Sequence, residues 1–310
     1  MKITDRAATD SAASEAPPPG RLRFAHVALV GKYQAQGMRD LLADLADWLQ
    51  LQGVEVSLEA ETARNTELFT YTALTVSELA RQCDLAVVVG GDGTMLGFAR
   101  QVAQHDLPLV GINHGRLGFI TDVPLGQFRQ ALTDLLHGNW VEDTRHLIDG
   151  EVIRGGRRIF AGQALNDVVL SRGATNGMVE FHVEIGQEFV ARLLADGLIV
   201  ASPTGSTAYA LAVGGPIVHP GLAGWVLTPI ASHSLTTRPI VLPDSEEVRI
   251  TVVSGRESAA NFDMQRLASL LPGDVVCVRR SSDKVRFLHP RDWSYYATLR
   301  EKLHWYGGGA

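Results

Sequence analysis

Two loops in this sequence combine glycines, hydroxyl side chains and carboxylates in a pattern that suits a nucleotide. In the first, a β-branched run at 87–89 ends in Gly90-Gly91-Asp92-Gly93-Thr94. In the second, an apolar run at 198–201 breaks into Ser202-Pro203-Thr204-Gly205-Ser206-Thr207-Ala208-Tyr209. Such breaks expose backbone N–H groups, hydroxyls and one aromatic ring to a polar, flat ligand. The sequence therefore predicts one nucleotide-shaped site built from both loops.

The first loop has the order strand, tight turn, helix, which places several N–H groups at a helix start, where they attract phosphate. Glycines let a diphosphate approach closely and tolerate positive φ. Asp92 is unusual there, because a carboxylate beside phosphate is unfavourable unless it binds Mg²⁺, accepts a proton or holds a sugar hydroxyl. The alternative for Asp92 is an ordinary turn aspartate.

Two further segments offer polar groups that could contact such a ligand. Asn166-Asp167 presents an amide beside a carboxylate, which suits ribose hydroxyls and a carboxamide, although an Asn-Asp pair is also a common turn. Thr207-Ala208-Tyr209 could lie along a flat ring of the ligand. The alternative is that Ser206 or Thr207 caps a short helix, and the two roles are compatible.

The order of these motifs resembles that of the NAD kinase family. The first loop is followed by Asn113-His114-Gly115-Arg116-Leu117-Gly118-Phe119-Ile120-Thr121, then by Leu165-Asn166-Asp167-Val168-Val169, and then by the run at 196–216. The resemblance extends from about the first strand to the C-terminus. The first motif alone also resembles lipid kinases and phosphofructokinases, whereas the four motifs in this order are specific.

The resemblance implies an enzyme that phosphorylates the adenosine 2′-hydroxyl of NAD⁺ with ATP, giving NADP⁺ and ADP, with Asp92 taking the hydroxyl proton. It also implies Mg²⁺, held mainly through ATP with no metal site of the protein's own, and a homodimer or homotetramer with sites near subunit contacts. Asp263 falls where the family carries a polar turn near the site. The remaining nucleotide-binding residues would be Gly90, Gly91, Gly93, Thr94, Phe119, Asn166, Asp167, Asp196, Ser206, Thr207, Ala208 and Tyr209.

Some of these assignments have alternatives. Phe119 could belong to the core, and Asp196 could brace its loop. Leu194 departs from the family pattern, since many bacterial relatives carry arginine there, and Arg192 lies two positions earlier on the same strand face. Two other functions compete with this one. The chain could be a non-catalytic NAD(P)-binding sensor, or it could be a lipid or sugar kinase that shares the first loop. The leucine at position 194 also leaves open whether ATP or polyphosphate is the phosphoryl donor.

Composition narrows the class of protein. The 310 residues, 45% hydrophobic and 20% charged, are enough for two ordinary domains. A net charge of −6 argues against a nucleic-acid partner, and the absence of an apolar run of about 18 residues argues against a membrane span. Two distant cysteines, Cys83 and Cys277, indicate unreactive thiols in a reducing, cytoplasmic compartment.

Hydrophobic periodicity predicts an α/β domain at 21–139 with a parallel sheet and a mostly β domain at 140–289. The family resemblance implies that the parallel sheet is Rossmann-like and phosphofructokinase-like. Residues 1–20 are predicted to be a disordered tail without the apolar core of a secretory signal. A last helix within 290–306 is predicted to dock back on the first domain. Its predicted apolar face comprises Trp293, Tyr296, Leu299, Leu303 and Trp305.

Overall fold

The computed structural model of the chain describes residues 22–115, 117–173 and 177–305. The predicted tail, Arg116 of the second motif and the last residue of the predicted docking segment lie outside these ranges. Among the described helices, none is long and apolar enough to cross a membrane.

The first half of the chain alternates strands and helices, as the periodicity predicts. Its parallel strands lie in the order β3-β2-β1-β4-β5. Alternate residues of β4 face opposite ways, so Val87 and Val89 pack toward α1 and α5, whereas Ala86 and Val88 pack toward α3 and α4. Helices therefore cover both faces, as a parallel sheet requires. The elements are β1 (His26–Gly31), α1 (Met38–Leu51), β2 (Glu55–Glu59), α2 (Ala60–Thr66), β3 (Thr72–Leu74), α3 (Val76–Gln82), β4 (Leu85–Gly90), α4 (Asp92–Val102), β5 (Leu109–Asn113), β6 (Val123–Pro124) and α5 (Phe128–Leu136).

The second half is mostly antiparallel strand. A six-stranded sheet in the order β14-β13-β12-β9-β16-β17 packs its apolar face against β7, β10, β15 and β18, with Trp225, Phe262 and Phe181 in the shared core. The elements are β7 (Trp140–Arg154), β8 (Arg157–Ala164), β9 (Asp167–Ser171), β10 (Val179–Ile185), β11 (Glu188–Ala195), β12 (Gly197–Ala201), α6 (Tyr209–Ala212), β13 (Gly224–Ile230), β14 (Ile240–Pro243), β15 (Val248–Ser254), β16 (Ser258–Phe262), β17 (Arg266–Leu270), β18 (Val275–Pro290) and α7 (Tyr295–Leu303).

One long strand ties the two halves together. The start of β18 pairs with β15, while Phe287 near its end pairs in parallel with Leu109 of β5. The larger sheet, with 12 strands, therefore runs through both halves. The predicted fold class, an α/β first domain and a mostly β second domain, is confirmed.

Helix α7 contacts the first half, where Lys302 Nζ donates to the carbonyl of Leu117. The predicted apolar face is wrong in part, because Tyr296 and Trp305 are 61% and 54% exposed. The helix begins at Tyr295 after the capping Ser294, so Tyr295, Thr298 and Leu299 form the buried side. Trp293 precedes the helix and stacks on His289 at 4.0 Å between ring centroids.

Candidate active site

A cavity of about 300 Å³ lies where the carboxyl end of β4 meets loops of the second half. The carboxyl ends of parallel strands are where α/β sheets bind ligands. Six of the predicted site residues line it together, namely Asp92, Gly93, Phe119, Asn166, Thr207 and Ala208. The other described lining residues are Leu96, Ile120, Arg145, Pro203, Thr204 and Tyr295.

Asp92 is the first residue of α4, and its carboxylate holds the loop that follows β5. Oδ2 accepts from Phe119 N at 2.7 Å. Oδ1 accepts from Ile120 N at 3.1 Å and from the backbone N and Oγ1 of Thr121, both at 3.0 Å. A Cβ at Gly118 would lie 2.0 Å from Oδ1, which explains this glycine. A carboxylate oxygen can accept about two hydrogen bonds, so Oδ2 retains acceptor capacity.

The glycines of the first loop have different roles. A Cβ at Gly90 would lie 2.7 Å from Thr94 Oγ1, so Gly90 lets the helix start fold back on β4. At Gly91 and Gly93, an added Cβ would meet no described atom within 4 Å. The loop is therefore open on its outer side, where the N-terminus of α4 could receive a phosphate. Gly90, Gly91 and Thr94 adjoin the cavity in sequence but are not among its described lining residues.

Asn166 reaches the cavity, whereas Asp167 is only 3% exposed behind it. The backbone N–H groups of Leu165, Asn166 and Asp167 donate to the carboxylate of Asp263 at 2.8, 2.8 and 3.0 Å. Burial, together with the nearby charge of Asp263, raises the pKa of Asp167 to about 7. Asp263 thus organises the Asn-Asp segment from behind.

The second loop folds against the same segment. Ser202 N donates to the carbonyl of Asn166 at 2.8 Å, and a Cβ at Gly205 would lie 2.1 Å from that oxygen. Ser206 is fully buried, where its hydroxyl donates to Pro203 O at 2.7 Å and accepts from Val218 N at 2.9 Å. Ser206 therefore serves the loop itself, while Thr207 faces the cavity. Tyr209 follows in sequence and is 40% exposed, but it is not among the described lining residues.

Asp196 lies elsewhere in the chain's own fold. It precedes β12, whose opposite end leads to the cavity, and a five-residue strand spans roughly 16 Å. Its Oδ1 accepts from Arg172 Nε at 2.8 Å. On the neighbouring β11, Leu194 is 42% exposed and Arg192 pairs with Glu180. A single chain does not bring Asp196 to Asp92.

A buried row of alternating charges ends at the cavity. Arg145 Nη1 donates to Thr204 Oγ1 at 3.0 Å, and its Nε donates to Asp143 at 2.8 Å. His289 Nε2 lies 3.6 Å from Asp143, and its Nδ1 lies 2.8 Å from Asp122. Burial opposes the charge on His289, but the hydrogen bond to Asp122 and the nearby negative charge of Asp143 raise its pKa overall. Burial likewise opposes the charge on Asp143, yet His289 and Arg145 hold its pKa well below the usual range.

Comparison with known proteins assigns the family. The family model described as the ATP-NAD kinase N-terminal domain matches residues 27–140, and that of the ATP-NAD kinase C-terminal domain matches residues 165–290. An NAD kinase of Polaromonas naphthalenivorans is 57% identical over 288 residues, covering 93% of this chain and 99% of the relative. An NAD kinase of Methylibium petroleiphilum is 56% identical, covering 92% and 96%. The chain belongs to the NAD kinase family.

Solved structures of more distant proteins share the fold of this family member. A yeast NADH kinase complexed with NADH has a TM-score of 0.84 at 22% identity, over 94% of this chain and 90% of its own. An NAD kinase from Archaeoglobus fulgidus in complex with ATP has a TM-score of 0.71 at 23% identity, over 91% and 100%. The resemblance predicted from the four motifs is thus confirmed.

Two polar lining residues of this NAD kinase family member, Arg145 and Tyr295, lie outside the motifs identified in the sequence. Arg145 lies in β7, where residues 143, 145 and 147 share one face of the strand. Because Leu147 is buried, this spacing could have indicated that Arg145 points inward. Tyr295 of α7 is buried, which raises its pKa. Its signal was the four-residue spacing to Leu299, which is also buried.

Proposed function

We propose that this chain transfers the terminal phosphate of ATP to the adenosine 2′-hydroxyl of NAD⁺, giving NADP⁺ and ADP. Membership in the NAD kinase family supports this reaction. The observation that carries it is the cavity, which sets Asp92 of the first half opposite Asn166 and Thr207-Ala208 of the second half. One wall thus offers a helix N-terminus and a carboxylate, and the other offers groups that suit a ribose and a ring.

Asp92 is proposed as the acceptor of the hydroxyl proton. Oδ1 is fixed by three donors, whereas Oδ2 accepts one hydrogen bond among the described residues. Oδ2 is therefore the atom that can receive the 2′-hydroxyl. In a loose phosphoryl-transfer transition state the nucleophile loses its proton late, so positioning supplies most of the rate and the base contributes about 10²–10⁴-fold.

Arg145 is proposed to contact a phosphate. It is the cationic side chain among the described lining residues, and its guanidinium is held in place by Asp143 and Thr204. Three of its five N–H donors are used in those contacts. A pre-oriented guanidinium suits the planar recognition of phosphate oxygens. It would complement the open N-terminus of α4.

The dinucleotide is proposed to lie against the second half. Asn166 can donate and accept, Thr207 offers a hydroxyl, and Ala208 leaves space for a flat ring. Tyr209 lies next in sequence and is exposed enough to pack on such a ring. Phe119 lines the opposite wall, where Lys302 Nζ lies 5.5 Å from its ring centroid.

A divalent metal, Mg²⁺, is proposed to enter with ATP. The described residues contain no group of three or more His, Cys, Asp or Glu side chains placed to hold a metal. Mg²⁺ is commonly bound by phosphates, waters and one or two carboxylates, and Asp92 is the carboxylate among the described lining residues. The residues therefore fit a metal carried mainly by the nucleotide, which would neutralise phosphate charge when bound.

We also propose that the chain forms a homodimer or homotetramer with sites near subunit contacts. The position of Asp196, away from the cavity of its own chain, supports this. We propose in addition that the chain divides into two domains near residue 140 and that it is a cytoplasmic protein. The two free, buried cysteines are consistent with a reducing compartment. Light scattering after gel filtration measures the oligomer, and a monomer that turns over fully would contradict it.

The reaction is tested with purified protein, NAD⁺ and MgATP, with NADP⁺ detected by an NADP-specific dehydrogenase. We expect NADP⁺ to form at a rate proportional to enzyme. NAD⁺ binding by calorimetry without product would favour the sensor alternative instead. Replacing NAD⁺ by diacylglycerol or a hexose at constant MgATP tests the lipid and sugar kinase alternatives, and ADP formation with those acceptors alone would overturn the proposal.

A further inference from the structure

Helix α4 extends from the cavity to a contact with the second half of the protein. Asp92 begins the helix, and Leu96 and Arg100 follow at intervals of four residues, which places all three on one face. At the far end of that face, Arg100 donates to the carboxylate of Asp263 and to the side-chain carbonyl of Gln265 in the second half. The helix that carries the proposed base is thus anchored to the opposite half of the protein.

Asp263 is also the group that shapes the opposite wall. Its carboxylate accepts the backbone N–H groups of Leu165, Asn166 and Asp167 in succession. The Asp263 side chain is 0% exposed and that of Arg100 is 10% exposed, so both charges are desolvated. Asp263 and Met264 have φ of 49° and 56°, the left-handed region that non-glycine residues seldom adopt. Such backbone persists where surrounding contacts over-determine it.

We propose that Arg100 and Asp263 are a positioning pair that sets the distance between Asp92 and Asn166. The inference rests on the proposed function, because Asp92 and Asn166 matter here as the proton acceptor and a dinucleotide contact. Neither member of the pair is among the residues described as lining the cavity. Arg100 acts through α4, and Asp263 acts through the backbone at 165–167.

The pair couples two walls that are far apart in sequence. Arg100 and Asp263 are 163 residues apart, and the wall segments they hold belong to different halves of the fold. Removing either charge leaves its buried partner uncompensated, which favours a shift of the segment that partner holds. A misplacement of about 1 Å between reacting groups can cost about 10²-fold in rate.

The test measures kcat and KM for Asp263→Asn, Arg100→Met and the double variant, per mole of folded protein. For each single variant we expect kcat to fall about 10–100-fold with a rise in KM for NAD⁺. If the two residues act together, kcat of the double variant should be no lower than kcat of the less active single variant. If they acted independently, the two losses in kcat would multiply. Arg100→Lys, which keeps the charge without the fork, should recover part of the loss.

Asp274→Asn is the matched control. Asp274 is also buried in the second half, where it pairs with Arg154 and accepts the backbone N–H of Leu271 at 2.7 Å, but it lies on the turn before β18, apart from the described cavity lining. We expect it to lower stability with kcat within about twofold of wild type.

The outcomes separate the two proposals. A wild-type protein without NADP⁺ formation refutes the proposed function. An active wild type whose Arg100→Met and Asp263→Asn variants lose no more kcat than Asp274→Asn overturns the positioning role, as do multiplying losses in the double variant. If Asp263→Asn does not fold, the two Arg100 variants decide the question by their kcat alone.

Discussion

Asparagine at position 92 tests the proposed base with a change of few atoms. Oδ1 can remain a carbonyl oxygen for its three donors from Ile120 and Thr121. The new amide nitrogen would then replace Oδ2, which accepts Phe119 N at 2.7 Å. Two donors would face each other at that contact. Asp92→Asn is therefore expected to lower the stability of the protein as well as its turnover.

The magnitudes of the two effects can be separated. Leaving the Phe119 N–H unsatisfied costs about 1–3 kcal/mol, and losing a negative charge at the start of α4 costs about 0.3–1 kcal/mol. The free energy of unfolding should therefore fall by about 1–4 kcal/mol. Losing the base should lower kcat by about 10²–10⁴-fold, which corresponds to about 3–5 kcal/mol in the barrier. We expect NAD⁺ affinity to change far less.

The assay compares kcat for NADP⁺ formation, NAD⁺ binding by calorimetry and urea denaturation for wild type and Asp92→Asn. Asp84→Asn is the control, because Asp84 also accepts two backbone N–H groups, from Ala25 at 2.8 Å and His26 at 3.0 Å. It is exposed, so its loss should be milder and should not change kcat. A value of kcat for Asp92→Asn within about threefold of wild type, despite the loss of stability, would refute the base assignment.

Three further predictions follow from buried groups. Arg145→Lys keeps the charge but loses the fork, so KM for ATP should rise about tenfold; an unchanged KM in steady-state kinetics would contradict the phosphate contact. Burial and Asp263 raise the pKa of Asp167 to about 7, so the folded state binds this proton more tightly than the unfolded state does. The free energy of unfolding should therefore fall by about 1.4 kcal/mol per pH unit as pH rises from about 4 to 7. Asp167→Asn should therefore be more stable than wild type in urea at pH 8 but not at pH 4, and the reverse order would refute this assignment. Burial raises the pKa of Cys83 to about 12 and of Cys277 to about 11, so a thiol reagent should react with unfolded protein far faster than with native protein, and equal rates would show accessible thiols.

The first half of the fold could be predicted because its buried segments have clear periods. The apolar run of β4 and the three- to four-residue spacing in α1 depend on local burial alone. β8 was not predicted, because Arg157, Arg158 and Ile159 at its start are all exposed and give no apolar alternation. β14 has only four residues, and its position depends on pairing with β13. Such strands are defined by their neighbours rather than by their own pattern.

Residue types indicated the site, but not how each group is used. Ser206 and Thr207 are adjacent hydroxyl residues that the sequence does not distinguish. Both donate to carbonyls of their own loop, but Ser206 is fully buried and Thr207 lines the cavity. Arg145 was missed because an arginine in a strand is usually read as solvent-facing. The contact between Arg100 and Asp263 could not be predicted from the sequence, because it depends on how the two halves of the chain pack together.

The charges around the cavity explain how a chain with a formal net charge of −6 could bind two anionic substrates. Asp122, His289, Asp143 and Arg145 form a row of alternating sign, and the raised pKa of His289 favours the protonated form that makes the row neutral. Loss of that proton would leave one negative charge in excess beside the site, at low dielectric, where repulsion of phosphate is strongest. A neutral row instead lets Arg145 and the N-terminus of α4 set the local field, and the overall charge of the surface, screened within about 8–10 Å by salt, has little influence there.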